Sequence, residues 1–271
     1  MRPATDAIHV PGTFGSAWHV PENHLCLTPN PQSKTSHPYW AQRVDRLKAP
    51  DAPPEALNLN VAGRRAVGPL QGFGQLWQKT FCIRLVGASV TPAEVIAEWK
   101  AELPRFKPAE SRFYPSPGGI ARGEEVLINA WTPGGPIATG VVVLYADDES
   151  FTLMTPEGHP ESGWVTMSAY VEDGVTVAQV QGLARASDPI YELAFRAMGS
   201  RLQDTIWEHV LTELAAHFGV KGQPVEVDRW LLDPKVQWRR AGNIWHNAQI
   251  RTILYQLAAP IRWVRRVLRQ D

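Results

Sequence analysis

The chain has 271 residues, enough for one large domain or for one domain with sizeable extensions. With 44% hydrophobic and 20% charged residues, it has the composition of an ordinary globular protein. Its formal net charge of zero excludes a global positive field of the kind that attracts nucleic acid.

Positive charge is nevertheless concentrated at the C-terminal end. From Lys221 onward there are ten lysines and arginines against four acids, which leaves the first 220 residues acidic. Such an asymmetry is typical of a basic interaction surface, or of two parts of a chain that attract each other. There is no signal-peptide pattern, no apolar run approaches the roughly 18 residues that span a bilayer, and the two cysteines, Cys26 and Cys82, offer no disulfide framework. We therefore expect a cytoplasmic protein.

Residues 1–74 are predicted to form an irregular arm rich in proline and glycine. His19, His24 and Cys26 lie in this arm, but the second cysteine of a structural zinc site is missing, so no metal or other cofactor is predicted. The glycine-rich stretch Gly68–Gly74 precedes a predicted strand rather than a helix, which argues against a phosphate-binding loop.

Regular elements begin after the arm. Gln75–Val86 has the aromatic and β-branched content of a strand. A capping box with proline at the first helical position, Thr91–Glu94, predicts a helix that ends before Pro104. Five strand-like runs follow: Glu124–Trp131, Ile137–Tyr145, Phe151–Thr155, Gly163–Val171 and Val175–Arg185.

The dipeptide Asp173-Gly174 predicts a two-residue hairpin turn between the last two of these strands. Such a turn pairs Glu172 with Val175 and thereby fixes the register. One hairpin face is then small and apolar and suits a covering helix, whereas the other is a polar ladder and is expected to face solvent. The apolar face comprises Val165, Met167, Ala169 and Val171 opposite Thr176, Ala178, Val180 and Gly182.

One long helix is predicted to close the domain. Asp188 caps it, Pro189 occupies its first turn and Gly219 is placed for a C-cap. Its apolar stripe consists of Ile190, Leu193, Ala197, Ile206, Val210 and Leu214. A helix of roughly 45 Å requires a broad partner surface, which a curved sheet provides.

The order strand, helix, antiparallel strands and long helix resembles the START/Bet v 1-like (SRPBCC, polyketide-cyclase-like) superfamily, in particular an uncharacterised bacterial branch of it. The resemblance lies in Tyr145–Gly219, in the GHPESG segment between two strands, the Glu-Asp-Gly hairpin and the final helix. It implies an α+β helix-grip fold over residues 75–219, with a curved antiparallel sheet wrapped around the C-terminal helix. The arm 1–74 and a basic, Trp-rich helical extension at 220–271 are additions to that fold.

In relatives the space between sheet and helix holds lipids, polyketides or other apolar ligands, and the resemblance carries over no catalytic residue. The expected function is therefore binding of an apolar or amphipathic small molecule. Candidate lining residues are Trp99, Trp131, Met154, Met167, Val180 and Phe195, although large apolar residues at such spacings are commonly plain core. The oligomeric state is left open.

The best candidates for catalytic side chains lie in one loop, where two carboxylates flank an imidazole: Glu157, His159 and Glu161. A neighbouring carboxylate can orient a histidine for proton transfer, so the alternative function is an enzyme of cyclase, hydratase or isomerase type. The simpler interpretation is a turn with solvated glutamates. The sequence leaves open whether there is catalysis and favours a binding role.

The C-terminal extension has the profile of a helix in a membrane interface, with an apolar stripe beside arginines. A second alternative is thus a surface for peripheral membrane or protein contact; docking of the stripe on the main domain would explain it equally well. No RNA-binding motif accompanies the tryptophans, so no nucleic acid partner is expected. The candidate surface consists of Ile250, Leu254, Leu257, Ile261, Arg262, Trp263, Arg265 and Arg266.

Overall fold

The computed structural model describes residues 38–49, 52–198, 201–260 and 262. The strands are β1 (Ala66–Val67), β2 (Leu76–Arg84), β3 (Ser111–Pro115), β4 (Glu125–Thr132), β5 (Gly135–Ala146), β6 (Ser150–Pro156), β7 (Glu161–Glu172), β8 (Val175–Ala186) and β9 (Glu226–Asp233). The helices are α1 (Pro92–Ala101), α2 (Pro189–Met198), α3 (Arg201–His217) and α4 (Ala248–Leu257), with 3-10 helices at Pro69–Gln71, Leu103–Arg105 and Trp238–His246. The candidate zinc ligands His19, His24 and Cys26 lie outside the described residues.

Two local predictions are confirmed in detail. At α1, Glu94 N donates to Thr91 Oγ1 (3.3 Å) and Thr91 N donates to Glu94 Oε2 (2.7 Å), which closes the capping box. In the β7–β8 hairpin, Glu172 pairs with Val175. Asp173 and Gly174 both have positive φ values, 51° and 74°, as a type I′ turn requires.

The predicted helix-grip fold is confirmed. The strands form an antiparallel sheet in the order β3-β4-β5-β6-β7-β8-β2-β9, and β1 pairs with β6. Its concave face carries Phe81, Met167 and Val180, which are fully buried in one core with α1 and α3. Trp99 is the central contribution of α1 to this core, and Leu211 and Leu214 are among those of α3.

The helix that was predicted as continuous comprises α2 and α3, and residues 199 and 200 between them lie outside the described part. Val210 and Leu214 on α3 are buried as predicted. On α2 the predicted face is wrong, because Ile190 and Leu193 are exposed (Leu193 by 70%). Tyr191 is buried there instead, in a cluster with Ile137 and Ala186 of the sheet and Ala248 of the C-terminal extension, so contacts from outside the grip contribute to the orientation of α2.

The convex face is covered in part by the end of the arm. Leu47, Ala49 and Val61 form a second apolar cluster with Leu127 and Val142 of the sheet. The polar ladder of the β7–β8 hairpin is only partly open to solvent, since Tyr170 is exposed but Val177 is buried. Residues 38–49 and 52–74 thus contribute a second layer to the fold.

The extension was predicted to be helical, and this prediction is wrong for its first part. Glu226–Asp233 forms the strand β9, which pairs with β2. Further along, α4 lies beside the first half of β5, where β6 does not pair with it. Ala138 N donates to Thr252 Oγ1 (3.0 Å), and Asn60 Nδ2 donates to Ala138 O (2.7 Å). These side chains satisfy backbone groups that a neighbouring strand would otherwise bind.

Candidate functional site

One end of the concave face carries polar side chains. Gly182 lies in the middle of β8, between Val165 of β7 and Lys79 of β2. A Cβ atom built on Gly182 meets no heavy atom within 4 Å in the described chain, and Val165 is only half-buried. On the small-residue face predicted from the hairpin register, the described residues therefore leave the position above Gly182 uncovered.

Lys79 places a positive charge on this otherwise apolar face. It shares the concave side of β2 with Phe81 and Ile83, because side chains of a strand alternate between its faces. Its Nζ atom donates to Gln203 Oε1 (2.6 Å) and to Asp204 Oδ1 (3.1 Å) in the first turn of α3. Lys79 and Asp204 are both buried.

Arg229 of β9 completes the ion pair from the far side. Its Nε and Nη2 atoms donate to Asp204 Oδ2 at 3.1 and 2.9 Å. Asp204 thus accepts hydrogen bonds from two cations, which compensates for the cost of removing its carboxylate from water. The extra strand β9 is therefore a structural part of this site.

Glu161 supplies a second carboxylate at the start of β7. Gln203 Nε2 donates to its two oxygens at 2.7 and 3.0 Å, so Gln203 links Glu161 to Lys79. Burial raises the pKa of Glu161, although the charge of Lys79 and the hydrogen bond from Gln203 act in the opposite direction. We call Lys79, Glu161, Gln203, Asp204 and Arg229 the concave polar cluster.

The loop trio predicted from the sequence is not assembled. Glu157 forms an ion pair with Arg65, whose Nη2 atom lies 2.7 Å from Glu157 Oε1. Burial alone would raise the pKa of Glu157, but the Arg65 hydrogen bond and the nearby His246 lower it overall. His159 Nδ1 accepts from the backbone N of Glu161 (3.1 Å), and burial lowers the pKa of His159 to about 4. The imidazole is thus neutral at pH 7, and its Nδ1 atom is engaged in a hydrogen bond within the turn. The Glu161 carboxylate belongs to the concave polar cluster instead.

The predicted lining residues lie in several places. Trp99, Met167 and Val180 are fully buried in the core, where Trp99 meets Phe151 edge to face (centroids 6.0 Å apart, planes at 89°) and its Nε1 has no hydrogen-bond partner among the described residues. Phe195 stacks on Tyr191. The structure therefore brings three of the six together.

The other two lie on the convex side of the sheet. Met154 packs there against the second apolar cluster. Trp131, which is 67% exposed, borders a separate surface pocket of about 250 Å³ together with Asn129 and Thr252. Neither side chain reaches the concave polar cluster.

The predicted contact surface on α4 is partly described. Ile250, Leu254 and Leu257 are exposed, the last two by 60% and 71%, because α4 packs through Ala248 and Thr252. Arg262 lies over the ring of Tyr255, with its guanidinium carbon 3.6 Å from the ring centroid. Ile261, Trp263, Arg265 and Arg266 lie outside the described residues. No helix of the described part is long and apolar enough to cross a membrane.

Sequence reasoning missed four members of the concave polar cluster: Lys79, Gln203, Asp204 and Arg229. One signal was available, since Lys79 is a charged residue on the apolar side of an alternating strand. The other three became relevant only through contacts over long sequence separations.

The sequence matches no protein-family model, and it matches no curated protein. Solved structures are similar in fold at low identity. These neighbours are helix-grip proteins. The di-domain ARO/CYC StfQ from the steffimycin biosynthetic pathway is 15% identical over 53% of this chain, with a TM-score of 0.42, and the match covers 50% of StfQ. Ara h 8.0201 is 10% identical over 53% of this chain and 97% of its own (TM-score 0.38). The major latex-like protein 151 of Panax ginseng is 13% identical over 54% of this chain and 99% of its own (TM-score 0.34).

Proposed function

We propose that the protein binds an amphipathic small molecule of lipid or polyketide type at the polar end of the concave face. The observation that carries this proposal is that no heavy atom of the described residues lies within 4 Å of a Cβ built on Gly182, which pairs with the half-buried Val165 and with Lys79 of the concave polar cluster. The apolar body of a ligand would lie on Val165 and Gly182. Its polar group would meet Gln203 and Glu161, whose side chains are half-buried and offer both donor and acceptor atoms.

Filling the space above Gly182 tests this proposal. The backbone of Gly182 has no positive φ, so Gly182→Leu introduces bulk without backbone strain. Gly242→Leu is the matched control, because Gly242 is an exposed glycine that also has open space and no positive φ. Oleate and a hydroxylated anthraquinone serve as probes, with binding followed by native mass spectrometry and by quenching of tryptophan fluorescence.

Gly182→Leu is expected to weaken binding of the preferred probe at least about tenfold, while Gly242→Leu leaves it unchanged. Equal binding to both variants, or absence of binding of either probe to the unmodified chain, would refute the proposal. Thermal unfolding of both variants checks that Gly182→Leu is folded.

A second candidate function is contact with an anionic membrane surface through α4. The exposed row Ile250, Leu254 and Leu257 supports it, since these side chains follow one another at spacings of four and three residues on a basic segment. Replacing Leu254 and Leu257 by glutamate should abolish cosedimentation with vesicles that contain phosphatidylserine. Leu70→Glu is the control, because Leu70 is exposed to a similar extent but lies in the 3-10 helix Pro69–Gln71 rather than in α4. If the double variant still cosediments, α4 is not the contact surface.

A further inference from the structure

Outside the concave polar cluster, Arg64 and Arg65 contact Glu157, and two further arginines bind the segment that precedes Arg64: Arg46 donates to Gly63 O (2.7 Å) and Arg251 donates to Asn60 Oδ1 (2.9 Å). Arg46, Arg64 and Arg65 come from the chain before β1, Glu157 comes from the β6–β7 loop, and Arg251 lies in α4. Two parts of the chain that are distant in sequence, the residues before β1 and α4, therefore bring like charges together, and a third supplies Glu157. The proposed function uses none of these residues.

Glu157 is shared between the cations. Its Oε1 atom lies 2.7 Å from Arg65 Nη2, and its Oε2 atom lies 3.9 Å from Arg64 Nη1. His246, just before α4, adds a third neighbour, with Nδ1 3.4 Å from Glu157 Oε2 and 3.0 Å from Arg64 Nη1. A single carboxylate cannot neutralise four guanidinium groups, so the cluster carries an excess of positive charge in a chain of zero net charge.

The electrostatic environment of Arg64 reflects this excess. Burial lowers the pKa of Arg64, Arg251 and Arg46 lower it further, and Glu157 raises it. The pKa of His246 is lowered by burial first and then by Arg64, Arg251 and Arg65, against the effect of Glu157. Repulsion between partly buried like charges is strong because little solvent screens it.

The guanidinium groups of Arg251 and Arg64 are each fixed by a contact with a neighbouring side chain. Arg251 Nε donates to Asn60 Oδ1 (2.9 Å), and Asn60 is itself fully buried and bonded to Ala138 O. Arg64 Nη1 is in contact with the His246 ring. The terminal nitrogens of Arg251 make no hydrogen bond to another described residue, which leaves them free to bind a ligand. Groups that are fixed before binding lose less conformational entropy when a ligand arrives.

We propose that Arg64 and Arg251, with Arg46 and Arg65 at the rim, form a binding site for an oxyanion of the phosphate class. The planar guanidinium fork matches two phosphate oxygens, and a doubly negative group would compensate the excess positive charge. The phosphate could belong to a soluble phosphorylated compound or to a lipid headgroup. This site does not depend on the proposed function of the concave face.

The first experiment is a calorimetric titration of the full chain with pyrophosphate and with inorganic phosphate at constant ionic strength, with sodium chloride as the blank. Arg251→Gln should weaken binding about tenfold, because it removes one charged, doubly hydrogen-bonding group. Arg105→Gln is the control, since Arg105 is exposed in a different part of the fold; its affinity should stay within about twofold of the original. Arg251→Lys keeps the charge but loses the fork, so an intermediate affinity is expected.

The second experiment separates the two sources of phosphate. Vesicles of phosphatidylcholine with and without phosphatidic acid are compared for cosedimentation with the full chain and with Arg251→Gln. Binding of free pyrophosphate, or binding of phosphatidic acid vesicles alone, supports the site if Arg251→Gln weakens it, and the pattern identifies the source. Binding that Arg251→Gln and Arg64→Gln leave unchanged, in variants with unaltered unfolding temperature, overturns the proposal, as does absence of binding in both experiments.

Discussion

Replacing Lys79 and Asp204 separately should reveal how the concave polar cluster is balanced. At 3.1 Å and an effective dielectric constant of about 20, their attraction amounts to about 5 kcal/mol before desolvation is subtracted. In Lys79→Met, Asp204 keeps two hydrogen bonds from Arg229, so the expected loss of unfolding free energy is about 2 kcal/mol. In Asp204→Ala, Lys79 stays buried without that partner, and the expected loss is about 4 kcal/mol.

Urea denaturation followed by circular dichroism measures both losses, provided that the m-value is unchanged. Arg84→Met is the matched control, because Arg84 lies on the same strand and pairs with Glu172 at a more exposed position. That substitution should cost no more than about 1 kcal/mol. An Asp204→Ala loss no larger than that of Lys79→Met, or a Lys79→Met loss no larger than that of Arg84→Met, would refute this account of the ion pair.

Two further predictions concern the β6–β7 loop. Burial lowers the pKa of His159 to about 4 in the folded chain, so the unfolded chain binds a proton more readily. The free energy of unfolding should therefore fall as the pH drops from about 6.5 towards 4, by about 1–2 kcal/mol between pH 7 and pH 5. Urea titrations of His159→Gln should lack this part of the pH dependence. A variant with the same pH dependence as the original chain would contradict the assignment. Gly158 has a φ of 94°, and a Cβ there would lie 2.0 Å from His246 O. Gly158→Ala should therefore lower the free energy of unfolding by about 3 kcal/mol or more. Gly119→Ala is the control, because Gly119 has a positive φ but no described atom within 4 Å of a Cβ, and it should cost about 1 kcal/mol. Equal losses in thermal unfolding would mean that backbone strain alone matters at Gly158.

Features that depend on neighbouring residues could be predicted from the sequence. The capping box at Thr91 and Glu94 fixes the start of α1 because its two hydrogen bonds close within one turn. The Asp173-Gly174 turn fixes the register of β7 and β8, since a two-residue loop allows one pairing. From that register followed the correct placement of Met167 and Val180 on the face that α1 and α3 cover.

The tertiary structure decided which faces and charges meet. On α2 the sequence stripe favoured Ile190 and Leu193, but the contact between Tyr191 and Ala248 turned the helix the other way. The Trp-rich extension became a strand at β9 because the edge of β2 offered backbone partners, which a sequence pattern does not reveal.

The candidate sites were likewise invisible in the sequence apart from single members. Lys79, Glu161, Asp204 and Arg229 come from four separate elements, and only the curvature of the sheet around α3 places them together. The sequence by itself therefore determined the elements, their local caps and one hairpin register, through contacts within a few residues. The charge clusters, and the position above Gly182 that the described residues leave uncovered, depend on contacts between residues far apart in the chain, whose energies depend on distance and burial in the folded state.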